Sequence, residues 1–237
     1  MKGCMRWVVL FSTLISSVAL ANEKSVYDFS WLDKDKEIYV LQNRKFRKDG
    51  RLYVGLTGVK TLSGAFENSM GGHFRAGFFF NEDWGFEFTY GQYSNSKNDV
   101  NKGVREQGTI PYVRSTKSLM GGLVWWSPFY GKLNTFNEIF YFDWMFGLGA
   151  AQVQSEDNRR EFNIVKSTAM TAESNMALMW STAMRFHINE AWSFRIDFTG
   201  YHYNAKRTSR TGIGATPFTK KQLFSNYDMG LGLVFAF

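Results

Sequence analysis

The sequence predicts an all-β fold: an eight-stranded antiparallel up-and-down transmembrane β-barrel, apolar outside and polar or charged inside. Three observations predict it. Apolar and aromatic residues recur at every second position through eight segments, which is the period of a strand with two unlike faces. The connections between segments alternate between longer and shorter, the plan of a membrane barrel. Finally, aromatic residues make up 18% of the 237 residues and Phe alone counts 23, yet beyond the N-terminus no segment holds the run of about 18 apolar residues that a membrane helix needs. The mean hydropathy of −0.29 agrees with membrane crossing by half-polar strands.

The chain opens with Lys2 and Arg6, an apolar run from Trp7 to Leu20 and the small-residue site Ala19-Leu20-Ala21. This order of basic, apolar and small segments reads as a secretory signal peptide over residues 1–21. The one cysteine, Cys4, leaves with it, so the exported chain is held without disulfides, as a closed hydrogen-bonded sheet allows. Residues 22–50 form a charge-rich periplasmic N-terminal extension that includes Phe29, Trp31, Tyr39, Leu41 and Phe46. Those apolar anchors fit a docking segment as well as a solvated tail.

The barrel domain spans 51–237. Arg51–Thr61 presents Leu52, Val54 and Leu56 on one face. Met70–Asn81 sets Phe74, Ala76, Phe78 and Phe80 against His73 and Arg75. Asn81-Glu-Asp83 is a tight turn, and Trp84–Tyr93 alternates Trp84, Phe86, Phe88 and Tyr90 with Gly85, Glu87, Thr89 and Gly91. Ser94–Thr116 is polar and reads as a loop. Lys117–Ser127 ends in Trp125-Trp126, and Pro128–Asn137 turns the chain. Glu138–Gln154 sets Phe140, Phe142, Trp144, Phe146 and Leu148 against Tyr141, Asp143 and Gly147. Ser155–Glu173 is polar again. Ser174–Ile188 opposes Met176, Leu178, Trp180 and Phe186 to Arg185 and His187. The turn Asn189-Glu-Ala191 repeats the design of Asn81–Asp83, and Trp192–Tyr203 alternates Phe194, Ile196 and Phe198 with Arg195, Asp197 and Thr199. Asn204–Gln222 is the last loop. Leu223–Phe237 closes the chain, with every odd position except Ser225 apolar or aromatic.

One face of every segment is thus Phe, Trp, Leu and Met, while the other carries Arg75, Glu87, Asp143, Arg185, Arg195, Asp197 and Asp228. Lipid places the first face outside, and an eight-strand lumen is narrow enough to be filled by the second as a packed charge network. A soluble lipocalin-like barrel would reverse the faces. Trp84, Trp125, Trp126 and Trp192 fall beside short turns, where an interfacial aromatic belt belongs.

Chemistry-bearing patterns are sparse. His73 and His187 lie on the inward face and read as hydrogen-bonding lumen residues. No Cys or His spacing suits a metal, no cofactor is implied, and Gly212-Ile-Gly214 and Gly230-Leu-Gly232 do not precede a helix as a phosphate loop would. His202, near the outer end of the seventh segment, is the one candidate for a rim-located lipid-modifying site, without a nucleophile motif beside it. Between Asn204 and Gln222, Lys206, Arg207, Arg210, Lys220 and Lys221 face no acidic residue. They suit the phosphates of lipopolysaccharide, and together they equal the excess of +5 that remains of the formal +7 once Lys2 and Arg6 leave with the signal peptide. Nothing points to nucleic acid.

The closing strand resembles the C-terminal signal strand of bacterial outer-membrane barrels. That resemblance implies that Tyr227, Leu233, Phe235 and Phe237 are read by the barrel-assembly machinery. The eight-segment plan over 51–237 is similar to the small OmpA/OmpX/OmpW-like barrels. The segment Asp35–Gly50 followed by the first strand resembles an outer-membrane barrel family of predatory and gliding deltaproteobacteria, some members of which belong to gliding-motility complexes. The expectation is a non-enzymatic protein of the Gram-negative outer membrane that anchors an envelope complex, with periplasmic envelope proteins as partners of residues 22–50. The alternatives are a narrow channel or carrier for small molecules, and a lipid-modifying enzyme.

Overall fold

The computed structural model describes residues 44–135, 138–162, 170–209 and 218–237. The signal peptide, the extension up to Asn43, and Arg210 lie outside the described residues. Eight strands pair in chain order into a closed antiparallel barrel: β1 (Leu52–Thr61), β2 (Glu67–Phe79), β3 (Trp84–Lys97), β4 (Arg114–Thr135), β5 (Glu138–Asp157), β6 (Thr171–His187), β7 (Trp192–Ser209) and β8 (Phe218–Ala236), with β8 against β1.

The register fixes the barrel's shape. One path across the ladders runs from Trp84 through Trp126, Phe146, Thr182, Phe198, Met229, Lys60 and Met70, and returns to β3 at Ser94. One circuit therefore climbs ten residues, Trp84 to Ser94. Eight strands with that stagger tilt by about 40° from the barrel axis and leave an interior that side chains fill. Alternation then sorts every strand: Leu52, Leu56, Phe74, Phe86, Phe88, Leu148, Leu231 and Leu233 are exposed on the outer wall, while Tyr53, Thr57, Arg75, Glu87, Met145, Met179, Asp197 and Asp228 are buried in the lumen. The face assignments read from the sequence hold at these positions.

Two short turns have the same construction. Asn81 Oδ1 accepts from the amides of Asp83 (3.0 Å) and Trp84 (2.7 Å), and Asn189 Oδ1 accepts from those of Ala191 (2.9 Å) and Trp192 (2.7 Å). Each Asn replaces a backbone turn with its own carbonyl. The barrel end that carries these turns, both chain-terminal strands and the β4–β5 tip is the short-turn end.

Several boundaries differ from the sequence reading. The predicted loop Ser94–Thr116 is largely structured: β3 continues to Lys97, β4 begins at Arg114, and between them lies helix α1 (Asp99–Glu106). Asn98 caps α1 by accepting from the Asn101 amide. The predicted turn Pro128–Asn137 is mostly strand, since β4 runs on to Thr135 with a register shift between Trp126 and Phe129. The last β3–β4 pair is Trp84 with Trp126, so β4 is an edge strand where Pro128 falls. A missing N–H costs no ladder bond there. The predicted loop Asn204–Gln222 contains strand at both ends, and β7 and β8 pair as far as Ser209 with Phe218. The polar residues of these segments hid strands that rise past the apolar zone.

The boundary drawn before Arg51 also moves. Residues from Arg44 onward cluster with the barrel. A turn over Lys48–Arg51, closed by Arg51 N–H to Lys48 C=O (3.0 Å) and carrying Gly50 at φ +68°, bends this segment under the short-turn end.

Candidate functional site

Charged and polar side chains are stacked in the lumen in successive groups from the short-turn end upward. At the bottom, Asp143 is fully buried on β5. Lys48 Nζ donates to its Oδ1 (2.6 Å) and to Ser127 Oγ (2.6 Å), and His187 Nε2 lies 2.7 Å from its Oδ2. Phe46 stacks on His187 at 5.0 Å between centroids, with Tyr141 edge-on at 5.5 Å. Arg44 reaches Glu82 and Asp83 of the β2–β3 turn (3.3 and 3.2 Å). Residues 44–50 thus form a plug anchored by one aromatic ring and two cations. Burial pushes the Lys48 ammonium below its ordinary range, and the Asp143 charge opposes that shift.

The middle group is a four-residue cluster. Arg75 bridges Glu87 and Asp197, each at 2.9 Å. Arg195 meets the same two carboxylates, Glu87 at 2.5 Å and Asp197 at 3.4 Å. Tyr53 donates to Glu87 (2.8 Å). All five are buried, and two cations against two anions satisfy the requirement that buried charge be paired. Above this, Asp228 accepts from Tyr93 and Thr61, and His73 Nε2 lies 2.9 Å from Tyr93 Oη.

The predicted lumen residues all face inward, but they divide differently from a single ion-pair core. Arg185 makes no ion pair within 4 Å among the described residues. Its guanidinium lies 5.2 Å above the Tyr53 ring. Asp143 stands opposite Arg185 in register but is held by Lys48, a residue the sequence reading left in the extension. Asp228 is held by hydroxyls. The signal for Lys48 was absent because its partner lies on another strand, while its neighbours Arg47 and Asp49 look like any charged tail.

Trp125 corrects the predicted belt. It is fully buried in the lumen, with the Arg195 guanidinium 4.8 Å from its ring. Adjacent strand residues point to opposite faces, so Trp125 and Trp126 could not share the outer wall. Trp84, Trp126 and Trp192 are exposed there, and Trp84 stacks on Trp126 at 6.3 Å. Of the closing-strand residues, Leu233 and Phe237 are exposed outside, Tyr227 and Phe235 half-buried, and Phe235 packs on Trp192 and Phe237 at 5.0 Å each.

At the long-loop end, β7 and β8 place cations directly opposite each other: Lys206 against Lys221 and Arg207 against Lys220. Alternation turns the first pair outward and the second toward the mouth of the barrel. Among the described residues none of the four forms an ion pair, and like charges across a ladder repel.

His202 lies on the outer wall of β7. Its Nδ1 is 2.8 Å from Ser225 Oγ, and its Nε2 accepts from Trp180 Nε1–H at 3.0 Å. The indole is a donor only. Nε2 therefore carries no proton, Nδ1 does, and Nδ1–H donates to Ser225. A base must accept the serine proton instead, so this tautomer opposes acyl-transfer chemistry. Trp180, Tyr227 and Phe198 surround the pair as an aromatic cluster. Among the described residues no group of three His, Cys, Asp or Glu is placed to hold a metal ion.

No protein-family model matches this chain, and no curated protein does. The resemblance to a deltaproteobacterial barrel family therefore finds no support. Similar solved structures are small outer-membrane barrels. The N-terminal β-barrel domain of Pseudomonas aeruginosa OprF is 14% identical, covering 80% of this chain and 98% of that one, with a TM-score of 0.47. OprG from the same organism is 13% identical, covering 81% and 98%, with a TM-score of 0.49. Yersinia pestis Ail, the attachment invasion locus protein, is 11% identical, covering 80% and 99%, with a TM-score of 0.39. The eight-strand ring rests on its own pairing, and these likenesses carry nothing about ligand or role.

Proposed function

We propose that this chain is a non-conducting barrel of the Gram-negative outer membrane that anchors an envelope assembly. The observation that carries this reading is the closed lumen: the Arg75–Glu87–Arg195–Asp197 cluster fills its middle and Lys48 on Asp143 seals the short-turn end. The ring of exposed apolar side chains, ended by Trp84, Trp126 and Trp192, supports a bilayer setting. Short turns then face the periplasm and the long-loop end faces outward. The export signal over 1–21, periplasmic partners of residues 22–50, and recognition of Tyr227, Leu233, Phe235 and Phe237 by the barrel-assembly machinery belong to the same proposal. The experiment is single-channel recording of the refolded protein in a planar bilayer, with insertion verified by heat-modifiable gel mobility. A silent bilayer is expected; steady conductance overturns the reading in favour of a channel or carrier.

The outward pair Lys206 and Lys221 supports contact with lipopolysaccharide phosphates, because an external anion would relieve the repulsion of two opposed cations that have no carboxylate partner among the described residues. Arg207, Arg210 and Lys220 extend that charge. Replacing all five with Gln is expected to weaken association with lipopolysaccharide vesicles, and unchanged association removes the idea. The Trp180–His202 hydrogen bond weighs against the lipid-modifying alternative.

A further inference from the structure

The mouth of the barrel at the long-loop end is a cavity of about 250 Å³ with unlike walls. One wall is aromatic. Phe224 of β8 stacks on Tyr203 (5.9 Å) and faces Tyr112 (6.4 Å), which precedes β4. Arg114 fixes both, donating to Tyr112 Oη (3.1 Å) and lying 4.9 Å from the Phe224 ring. Arg114 is itself neutralised by Asp157 and Glu173 (2.7 and 3.1 Å), so it serves as a strut rather than a free charge. Burial raises the Tyr112 phenol, which stays protonated and donates to Lys206 C=O (2.9 Å).

The other wall is polar and belongs to the β1–β2 connection and the start of β2: Ser63 and Glu67, with Asn226 at the floor. Asn226 has spare capacity. Its three side-chain hydrogen bonds among the described residues, to Ser63, Thr116 and Tyr203, are 3.3, 3.4 and 3.5 Å long, at or past the useful limit. Glu67 uses one carboxylate oxygen on Ser115 (2.6 Å). Gly64 shapes this wall, since a Cβ there would lie 2.2 Å from Glu67 C=O. Over the rim hangs Arg207, 5.6 Å from the Tyr112 ring. It bonds Gln222 (3.1 Å), pairs in register with Lys220, and meets no carboxylate among the described residues.

We propose that this cavity binds a single sugar unit carrying a negatively charged group. The aromatic wall takes the C–H face of a pyranose, Ser63, Glu67 and Asn226 exchange hydrogen bonds with its hydroxyls, and Arg207 pairs with its carboxylate, phosphate or sulfate. The volume falls below that of drug-sized sites, which suits one ring. The floor is closed by Asn226, Thr116 and Tyr203 above Tyr93 and Asp228, so the cavity ends as a receptacle rather than a path. The proposal needs the barrel and its closed floor and is independent of the anchoring role.

The test is titration calorimetry of the refolded full chain in detergent with glucuronate and, separately, glucose. Glucuronate is expected to bind at least about tenfold tighter than glucose, the worth of one charge-assisted hydrogen bond. Arg207→Gln is expected to erase that difference, and Phe224→Leu to weaken both sugars, with heat-modifiable mobility confirming that each variant folds. A lipopolysaccharide fragment bearing acidic core sugars serves as the second arm. Competition between it and glucuronate identifies a glycolipid source; glucuronate binding without competition identifies free acidic sugars. Absence of binding by both glucuronate and the fragment, or equal glucuronate binding by Arg207→Gln and the parent, overturns the proposal.

Discussion

Lys48 Nζ sits 2.6 Å from Asp143 Oδ1, bringing together residues 95 positions apart in a contact that excludes solvent from both side chains. The pair joins the segment before β1 to β5 and closes the barrel's lower mouth. Removing the cation alone leaves Asp143 with the His187 ring as its hydrogen-bond partner and no lysine or arginine within ion-pair distance among the described residues. Lys48→Met is therefore expected to destabilise the barrel by about 3–5 kcal/mol, the usual result of stripping one partner from a buried pair. Adding Asp143→Leu should recover most of that loss. Urea unfolding of the refolded protein in detergent measures both. Equal stability of the single variant and the parent would mean the pair does not hold the plug.

Two glycines separate the inner face from the outer. A Cβ on Gly77 would lie 2.3 Å from Tyr53 Cζ, in the ring that donates to Glu87, whereas a Cβ on Gly72 meets nothing within 4 Å. Gly77→Val is expected to cost about 1–3 kcal/mol as an overpacked interior does, with the temperature of the heat-modifiable gel shift falling accordingly. Gly72→Val should leave that temperature unchanged.

The strand ladder was legible wherever apolar residues alternate, because burial against lipid on one side imposes the period. It became illegible where strands leave that zone. The ends of β3, β7 and β8 carry Ser, Asn, Lys and Thr on both faces, so nothing in the residues distinguishes them from loop. Helix α1 spans two turns, so its apolar pair Val100 and Val104 is too short a pattern to stand out; its other signal was the cap, Asn98 followed by Asp99 and closed beyond Arg105 by Gly108 at φ +77°. The inward charges were legible as a set, since parity assigns their face. Which of them pair was not, because Arg75 with Asp197 and Lys48 with Asp143 depend on where the strands meet across the lumen.

Trp125 and Trp126 give a direct readout of that parity. Trp125 is enclosed beside Arg195 and Trp126 is exposed beside Trp84. In proteins keeping one of the two as the sole tryptophan, brominated lipid is expected to quench Trp126 strongly and Trp125 weakly. Equal quenching would mean that the wall carrying Trp126 does not face lipid.

Leu56 tests the same wall by energy. It is 68% exposed on β1, and the register places it between the short-turn aromatic rim and the long-loop end, with Phe74 and Leu233 beside it. In water such a side chain would be a liability and Leu56→Arg would be neutral or helpful. At the middle of a bilayer the same change is expected to cost about 2–4 kcal/mol, while an Arg near either interface costs at most about 1 kcal/mol. Comparing Leu56→Arg with Leu223→Arg, close to the long-loop end of β8, isolates depth from chemistry. A large loss at Leu56 with little at Leu223, measured by unfolding from lipid vesicles, is the expected outcome; the same small effect at both would mean that this face meets water.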